Sequence, residues 1–209
     1  MQQLFYGLAQ SLERLPCRNN SSDQYVDRLV RELEATQLTP NPSPPKTEVP
    51  SQSWARIFEE VRHRKHNPAL AALYELEPLH NWIRASEFYP EPRHCHFSGN
   101  VWGSLIAGQQ DALFDAQERY IALLILIDTD TTYPLHAHRI EELYYVLSGH
   151  AQWSHDGRNW ETVPPGSIFH NDSYQPHTMR TSDEPLMAMG LYLPPFGWEG
   201  GLLESETTQ

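Results

Sequence analysis

Two histidines, a glutamate and a glycine are spaced along residues 136–149 in a way that can hold a metal ion. The order is His136-x-His138, then Glu142 after three residues and Gly149 after six more. Side chains alternate between faces in an extended segment, so His136 and His138 point the same way, and Glu142 rejoins that face after a short turn. Imidazole and carboxylate ligands suit zinc, iron, manganese, nickel or copper better than magnesium or calcium. The spacing therefore predicts a site for one divalent transition metal ion.

Such a site needs a fourth ligand, and two later histidines are candidates. His170 ends the segment 163–170, and His177 directly follows Pro176. We favour His177, because a Pro-His step at the start of a new strand, residues 177–181, aims an imidazole rigidly into a barrel. His170 is the alternative.

Tyr144 stands two residues after Glu142, which places its phenol on the ligand face, within reach of an open coordination position. A nearby cation favours the phenolate, and a phenolate can act as a general base. The competing interpretation is an ordinary strand aromatic that fills the core. Tyr133 is a second candidate for substrate contact, although its strand parity is opposite to that of the ligands, and Tyr192 is a weaker one.

Short strands that begin at about Gly99 must position these residues. Regular short strands separated by Gly, Pro and Asp are typical of an antiparallel barrel or jelly roll. We therefore predict a β-barrel domain over residues 98–209. The predicted strands cover residues 101–107, 120–128, 142–147, 151–155, 167–169, 177–181 and 186–193.

Residues 1–97 are predicted to form a helical extension that contains a proline-rich connector at residues 39–51. Apolar residues recur at helical spacing in two stripes. Further helical patterns cover residues 54–61 and 69–76, with another turn at 79–83. Such short stripes cannot form an independent bundle, so we expect the helices to pack outside the barrel or in a homodimer interface. The two stripes are Leu4, Leu8 and Leu12, then Val26, Leu29, Val30 and Leu33.

Composition and charge exclude several classes of protein. The chain has 27 acidic and 15 basic residues and a formal charge of -12, which opposes binding to nucleic acid or to an anionic membrane surface. The longest apolar run, residues 121–127, is far too short to span a membrane, and residues 1–15 lack the features of a signal peptide. Cys17 and Cys95 form no CxxC pattern, so reduced structural thiols and a cytoplasmic location are expected.

A second His-x-His pair, at His94 and His96, lacks an acid at the matching offset, because Asn100 stands there. We interpret this pair as structural, since spacing without the remaining ligands is weak evidence for a metal site.

The pattern His-x-His-x3-Glu-x6-Gly, followed by Pro-x-Gly at residues 164–166, resembles the two-part signature of the cupin superfamily. Within that superfamily, residues 133–138, 141–144, 147–153, 176–177 and 183–186 resemble the dimethylsulfoniopropionate (DMSP) lyase branch. Two positions depart from the pattern: Asp130 stands where a glycine often precedes the first histidine, and no histidine lies three positions after Gly166. The resemblance implies a mainly β cupin fold, a double-stranded β-helix or jelly-roll barrel, with an α-helical N-terminal extension.

The same resemblance implies a reaction. In β-elimination, a zinc, iron or manganese ion binds the substrate carboxylate, and Tyr144 removes the adjacent proton as dimethyl sulfide leaves and acrylate forms. The substrate is then a small zwitterion or carboxylate, and Trp153, Trp102 or Trp198 can present a π face to the sulfonium group. The alternatives are a metal-dependent cupin oxygenase or isomerase for another small organic acid, and a non-catalytic sensor.

Overall fold

The computed structural model describes residues 2–15, 20–42, 81–85, 101–109, 111–197 and 199–203, together with positions 55–57, 59, 73 and 76. Two helices, α1 (Gln2–Glu13) and α2 (Asn20–Ala35), precede the strands. The strands are β1 (Thr39–Pro40), β2 (Ile83–Arg84), β3 (Val101–Gly108), β4 (Phe114–Asp115), β5 (Ile121–Ile127), β6 (Thr132–His138), β7 (Glu142–Ser148), β8 (Ala151–Ser154), β9 (Glu161–Val163), β10 (Ile168–Asn171), β11 (His177–Thr181), β12 (Leu186–Tyr192) and β13 (Gly200–Leu202).

Within the described ranges the strands form two sheets that face each other. One sheet has the order β1-β4-β3-β5-β12-β7-β10, with β2 paired to β3, and the other has the order β13-β6-β11-β8-β9. The pairs are antiparallel except β3 with β4. This arrangement is the predicted cupin barrel.

The side chains of β7 alternate between the barrel interior and the face that packs against the helices. Tyr144 and Val146 face the barrel interior, where they belong to the cluster that also contains Trp153. Leu143, Tyr145 and Leu147 alternate with them and face the opposite side. There they share one core with the apolar stripes of α1 and α2, so the helices pack on the outside of the larger sheet, as predicted.

The strands predicted from the barrel sequence match β3, β5, β7, β8, β10, β11 and β12 to within a few residues at each end. Positions 55–57, 59, 73 and 76 are helical, in agreement with the helical patterns there. The helical turn predicted up to Ile83 is wrong at that residue, because Ile83–Arg84 pairs with β3. Thr39–Pro40 likewise pairs with β4. The domain boundary at residue 97 stays a prediction.

Left-handed backbone conformations occur at three positions that the sequence pattern singled out: Asp130, Gly149 and Gly166. Gly149 ends the first motif with φ 79°, and a Cβ atom there would lie 1.8 Å from the carbonyl oxygen of Pro185. Only glycine fits that combination of conformation and close approach. Asp130, which departs from the glycine of the cupin pattern, has a φ of 49°. Aspartate tolerates this left-handed region better than most residues.

Several sequence predictions lie outside the described residues: Cys17, Cys95, the His94 and His96 pair, Trp198 and most of the proline-rich connector. Among the helices that the structure describes, none is long and apolar enough to cross a membrane. The homodimer stays a prediction.

Candidate metal centre

Four candidate ligands meet between the two sheets. His136 and His138 come from β6 and His177 from β11, which are neighbours in the smaller sheet, and His177 is directly opposite His136. Glu142 begins β7 in the larger sheet. The turn at residues 139–141 carries the chain from one sheet to the other, so the four candidate ligands come from both sheets and meet between them. All four residues are buried, and His138 is the most exposed of them at 9%.

Backbone carbonyls fix the orientation of all three imidazoles. The Nδ1 atoms of His136, His138 and His177 lie 2.7, 2.8 and 2.9 Å from the carbonyl oxygens of Pro134, Ile140 and Gln175. A carbonyl only accepts, so each Nδ1 carries a hydrogen and each Nε2 offers a lone pair in the neutral ring. Ring orientation by such partners is typical of histidines that bind metals.

The imidazole lone pairs converge on one carboxylate. Glu142 Oε2 lies 3.1 Å from His177 Nε2 and 3.5 Å from His138 Nε2. One ligand atom from each of the three histidines falls within 4.8 Å of the other two. The buried Nε2 of His177 has no hydrogen-bond partner among the residues that the structure describes. Imidazole lone pairs and a carboxylate oxygen that face one another at these distances favour a cation between them, so these residues fit a divalent transition metal ion.

The electrostatics of the pocket favour the ligating forms of two of these groups. Burial tends to raise the pKa of Glu142, but the close contacts with His138 and His177 outweigh it and hold that pKa well below its usual range. Burial, reinforced by His177, lowers the pKa of His136 well below its usual range. Burial tends to lower the pKa of His138, but the neighbouring Glu142 carboxylate outweighs it and raises that pKa. Metal binding at His138 therefore competes with protonation and weakens as the pH falls.

Two further side chains hold Glu142 from the neighbouring strands. The hydroxyl group of Tyr192, directly opposite Glu142 on β12, donates a hydrogen bond to Oε1. Asn171, directly opposite on β10, donates to Oε2 at 3.2 Å, and its own Oδ1 lies 3.1 Å from His155 Nε2. Burial, together with the charge of Glu142, raises the pKa of Tyr192 well above its usual range, which keeps this phenol a donor. Sequence reasoning missed Asn171.

Tyr144 lies inside the barrel on the Glu142 side of β7. Its ring packs against Trp153 with centroids 4.8 Å apart, and its hydroxyl group hydrogen-bonds that of Tyr192. Gly190, directly opposite Tyr144, leaves the space that this arrangement needs, because a Cβ atom there would lie 2.9 Å from the Tyr192 hydroxyl oxygen. The hydroxyl groups of Tyr144 and Tyr192 thus link the candidate base to the ligand carboxylate.

Tyr133 faces the site in spite of its position along the strand. The pairing of β6 with β11 is irregular between His177 and Met179, where two residues of β6 oppose one of β11. Such a bulge shifts the alternation of side chains, so parity counted along the sequence does not apply across it. The Tyr133 ring accordingly lies 4.6 Å from the His136 ring, centroid to centroid.

His170, the alternative fourth ligand, faces away from the site. It is opposite Leu143 on β7, whereas its neighbour Asn171 is opposite Glu142. Its Nε2 lies 3.0 Å from Glu141 Oε1, and its ring packs against Tyr25 of α2 at 5.1 Å. The geometry therefore favours His177 and gives His170 and Glu141 a role where the helices meet the barrel.

Trp153 lies in the barrel interior, whereas Trp102 lies on the helix side of the larger sheet. Trp153 is fully buried in the barrel interior, and its indole N–H has no hydrogen-bond partner within the described ranges. Trp102 belongs to the cluster shared with the helices, and the Arg84 guanidinium lies over its ring at 4.4 Å. The interpretation of Trp102 as a surface for a sulfonium group is therefore wrong, because strand alternation turns its ring away from the barrel interior.

Replacing Tyr192 by phenylalanine is expected to weaken metal binding by about 10- to 100-fold, the usual contribution of a group that hydrogen-bonds a ligand. The reason is that Glu142 Oε1 loses its buried donor. Competition for zinc with a chelator measures the effect. Tyr145→Phe is the matched control, since that tyrosine is equally buried but faces the helices. Equal affinity in both variants would contradict the role of Tyr192.

This chain is similar to known proteins both in sequence and in fold. Residues 21–188 match the dimethylsulfoniopropionate lyase family model. The DMSP lyase DddQ of Ruegeria pomeroyi is 32% identical over 87 residues, which are 42% of this chain and 40% of that relative. The chain thus matches less than half the length of this curated relative.

Two solved structures share the fold. The crystal structure of DddQ from Ruegeria pomeroyi has a TM-score of 0.63 and 20% identity, and the match covers 96% of this chain and 98% of that one. A structure from a study of the DMSP lyases RdDddP and RnDddQII has a TM-score of 0.65 and 17% identity, over 97% and 96% of the two chains. Because the family model matches more than half of the sequence, this chain belongs to the dimethylsulfoniopropionate lyase family.

Proposed function

We propose that the protein is a metal-dependent carbon-sulfur lyase that cleaves DMSP by β-elimination into dimethyl sulfide and acrylate. The observation that carries the proposal is the buried phenol of Tyr144, placed inside the barrel beside a cage of three histidines and one glutamate. Family membership and the match to DddQ support DMSP as the substrate.

His136, His138, Glu142 and His177 would hold the ion. When bound, a zinc, iron or manganese ion supplies Lewis-acid stabilisation of the negative charge that develops on the substrate carboxylate. The backbone carbonyls behind each imidazole keep the ligands in position, and Tyr192 and Asn171 do the same for the carboxylate of Glu142.

Tyr144, as the phenolate, takes the proton from the carbon next to the substrate carboxylate. The electron pair of that C–H bond forms the carbon-carbon double bond, and the C–S electron pair leaves with sulfur as neutral dimethyl sulfide. Acrylate keeps the carboxylate charge, and Tyr144 holds the proton. Tyr133, against the His136 ring, can hydrogen-bond the substrate carboxylate. Trp153, which packs against Tyr144 and Phe169 inside the barrel, is the candidate for contact with the sulfonium group.

The proposal is tested by headspace detection of dimethyl sulfide from the purified, metal-loaded protein with DMSP, in air and under strict anaerobic conditions. We expect equal amounts of dimethyl sulfide and acrylate at the same rate in both, because the elimination consumes no oxygen. Turnover that requires oxygen would favour a cupin oxygenase. Metal binding without turnover of any short organic acid would favour a sensor.

A further inference from the structure

A cavity that is open to solvent lies on the face of the larger sheet away from the metal centre, where α2 meets the barrel. Its volume is about 240 Å³, and it is bordered by Arg28, Arg31, Glu32, Glu118, Arg119 and the Leu193–Pro194 segment. Arg28 and Arg31 are separated by three positions on α2, so they lie on the same face of the helix. Three guanidinium groups and two carboxylates, those of Glu32 and Glu118, thus border the cavity, which leaves one net positive charge there in a chain whose formal charge is -12.

The positive charge of this cavity is only partly compensated. Arg119 Nη1 lies 2.7 Å from Glu32 Oε2, which pairs those two side chains. Arg28 and Arg31 make no ion pair or hydrogen bond with the residues that the structure describes, and both are exposed. Planar guanidinium groups that remain free beside a concave surface are suited to bidentate recognition of an oxyanion.

The loop that supplies Arg119 is held in a costly conformation. Gln117 and Glu118 have φ values of 54° and 57°, which is a left-handed conformation at two consecutive residues that are not glycine. Asp115 Oδ1 accepts from the Gln117 backbone N–H at 2.7 Å, and Gln117 Nε2 donates to the Gln37 carbonyl oxygen at 3.2 Å. Those bonds tie the loop to the chain that follows α2, so Arg119 is held at the cavity.

We propose that this cavity is a binding site for a small oxyanion, a phosphate or a carboxylate, held by Arg28 and Arg31 with Arg119 at its edge. The site is distinct from the metal centre and does not depend on the reaction proposed above. Hydrogen bonds connect α2, which carries Arg28, to the strand that supports the metal centre. Tyr25, one turn before Arg28, donates to the Leu191 carbonyl oxygen at 3.0 Å and accepts from the Leu193 N–H at 3.0 Å. Leu191 and Leu193 flank Tyr192, the residue that donates to Glu142.

The test is an NMR titration of the full-length, metal-loaded protein that follows the arginine Nε–Hε signals, with inorganic phosphate and acetate as separate probes and sodium chloride at matched ionic strength as the blank. We expect saturable shifts of the Arg28 and Arg31 signals with phosphate, with acetate or with both, and no saturation with chloride. If only phosphate gives saturable shifts, the ligand of the site is a phosphate. If acetate also gives saturable shifts, the site accepts carboxylates as well.

The double variant R28Q/R31Q should bind the saturating anion about tenfold more weakly or worse, because hydrogen bonds from charged donors are lost. The Arg119 signal reports the binding in this variant. R14Q is the matched control: Arg14 is an exposed arginine at the end of α1, away from the cavity. Anion binding at the metal ion would persist in the double variant, so it can be distinguished from anion binding at the cavity. Absence of saturable shifts at Arg28 and Arg31, or unchanged affinity in R28Q/R31Q, would overturn the proposal.

Discussion

Tyr144→Phe is expected to lower the turnover number for DMSP by about 10²- to 10⁴-fold, the usual contribution of a positioned general base. The substitution removes one hydroxyl group and keeps the ring that packs against Trp153, so the barrel interior retains its shape. The ligands His136, His138, Glu142 and His177 are untouched, so the metal content should stay at the wild-type level. Dimethyl sulfide release and elemental analysis of the same preparation measure both quantities.

Two comparison variants make this result specific to the base. Tyr145→Phe removes a hydroxyl group from the next residue of β7, whose side chain faces the helices, and should leave the rate unchanged. His136→Ala should lose both the metal and the activity, because it removes a ligand. Full activity of Tyr144→Phe would refute the base assignment, and Tyr133 would become the leading candidate because its ring lies against His136.

The ligand face of β6 and β7 could be predicted because it depends only on short-range geometry. His136 and His138 are two residues apart on one strand, as are Glu142 and Tyr144 on the next, and strand alternation does the rest. The strands of the barrel could be recognised for the same reason, since each is a local apolar run bounded by turn residues.

The groups that support the ligands could not be predicted in this way. Asn171 and Tyr192 reach Glu142 only because β10 and β12 pair with β7 in one register, and register joins residues 29 and 50 positions away from Glu142. The orientation of Tyr133 depends on a bulge beside Pro134; the proline marks an irregularity in the strand, but the sequence does not give the register across it. Strands of two or three residues, such as β1, β2 and β13, form because neighbouring strands offer free edges, and such short segments carry no periodic signal.

His177→Ala is expected to weaken metal binding by more than about 100-fold and to abolish turnover. Groups that only hydrogen-bond a ligand already contribute 10- to 100-fold, and a ligand must contribute more. His177 is also the imidazole nearest to Glu142 among the measured contacts, at 3.1 Å, so the variant removes a partner of a buried carboxylate. Metal affinity by chelator competition and dimethyl sulfide release from metal-saturated protein measure the two losses.

His170→Ala is the matched control, because it removes another imidazole from the same part of the sequence, one that faces away from the metal centre. His170 contacts Glu141 and Tyr25 on the helix side of the larger sheet, so its loss should cost about 0.5–3 kcal/mol of stability and leave metal affinity near the wild-type value. The reverse outcome, metal lost in His170→Ala and kept in His177→Ala, would mean that β10 presents its other face to the barrel. Asn171 would then turn away from Glu142, and the hydrogen bonds that hold the carboxylate would have to be assigned anew.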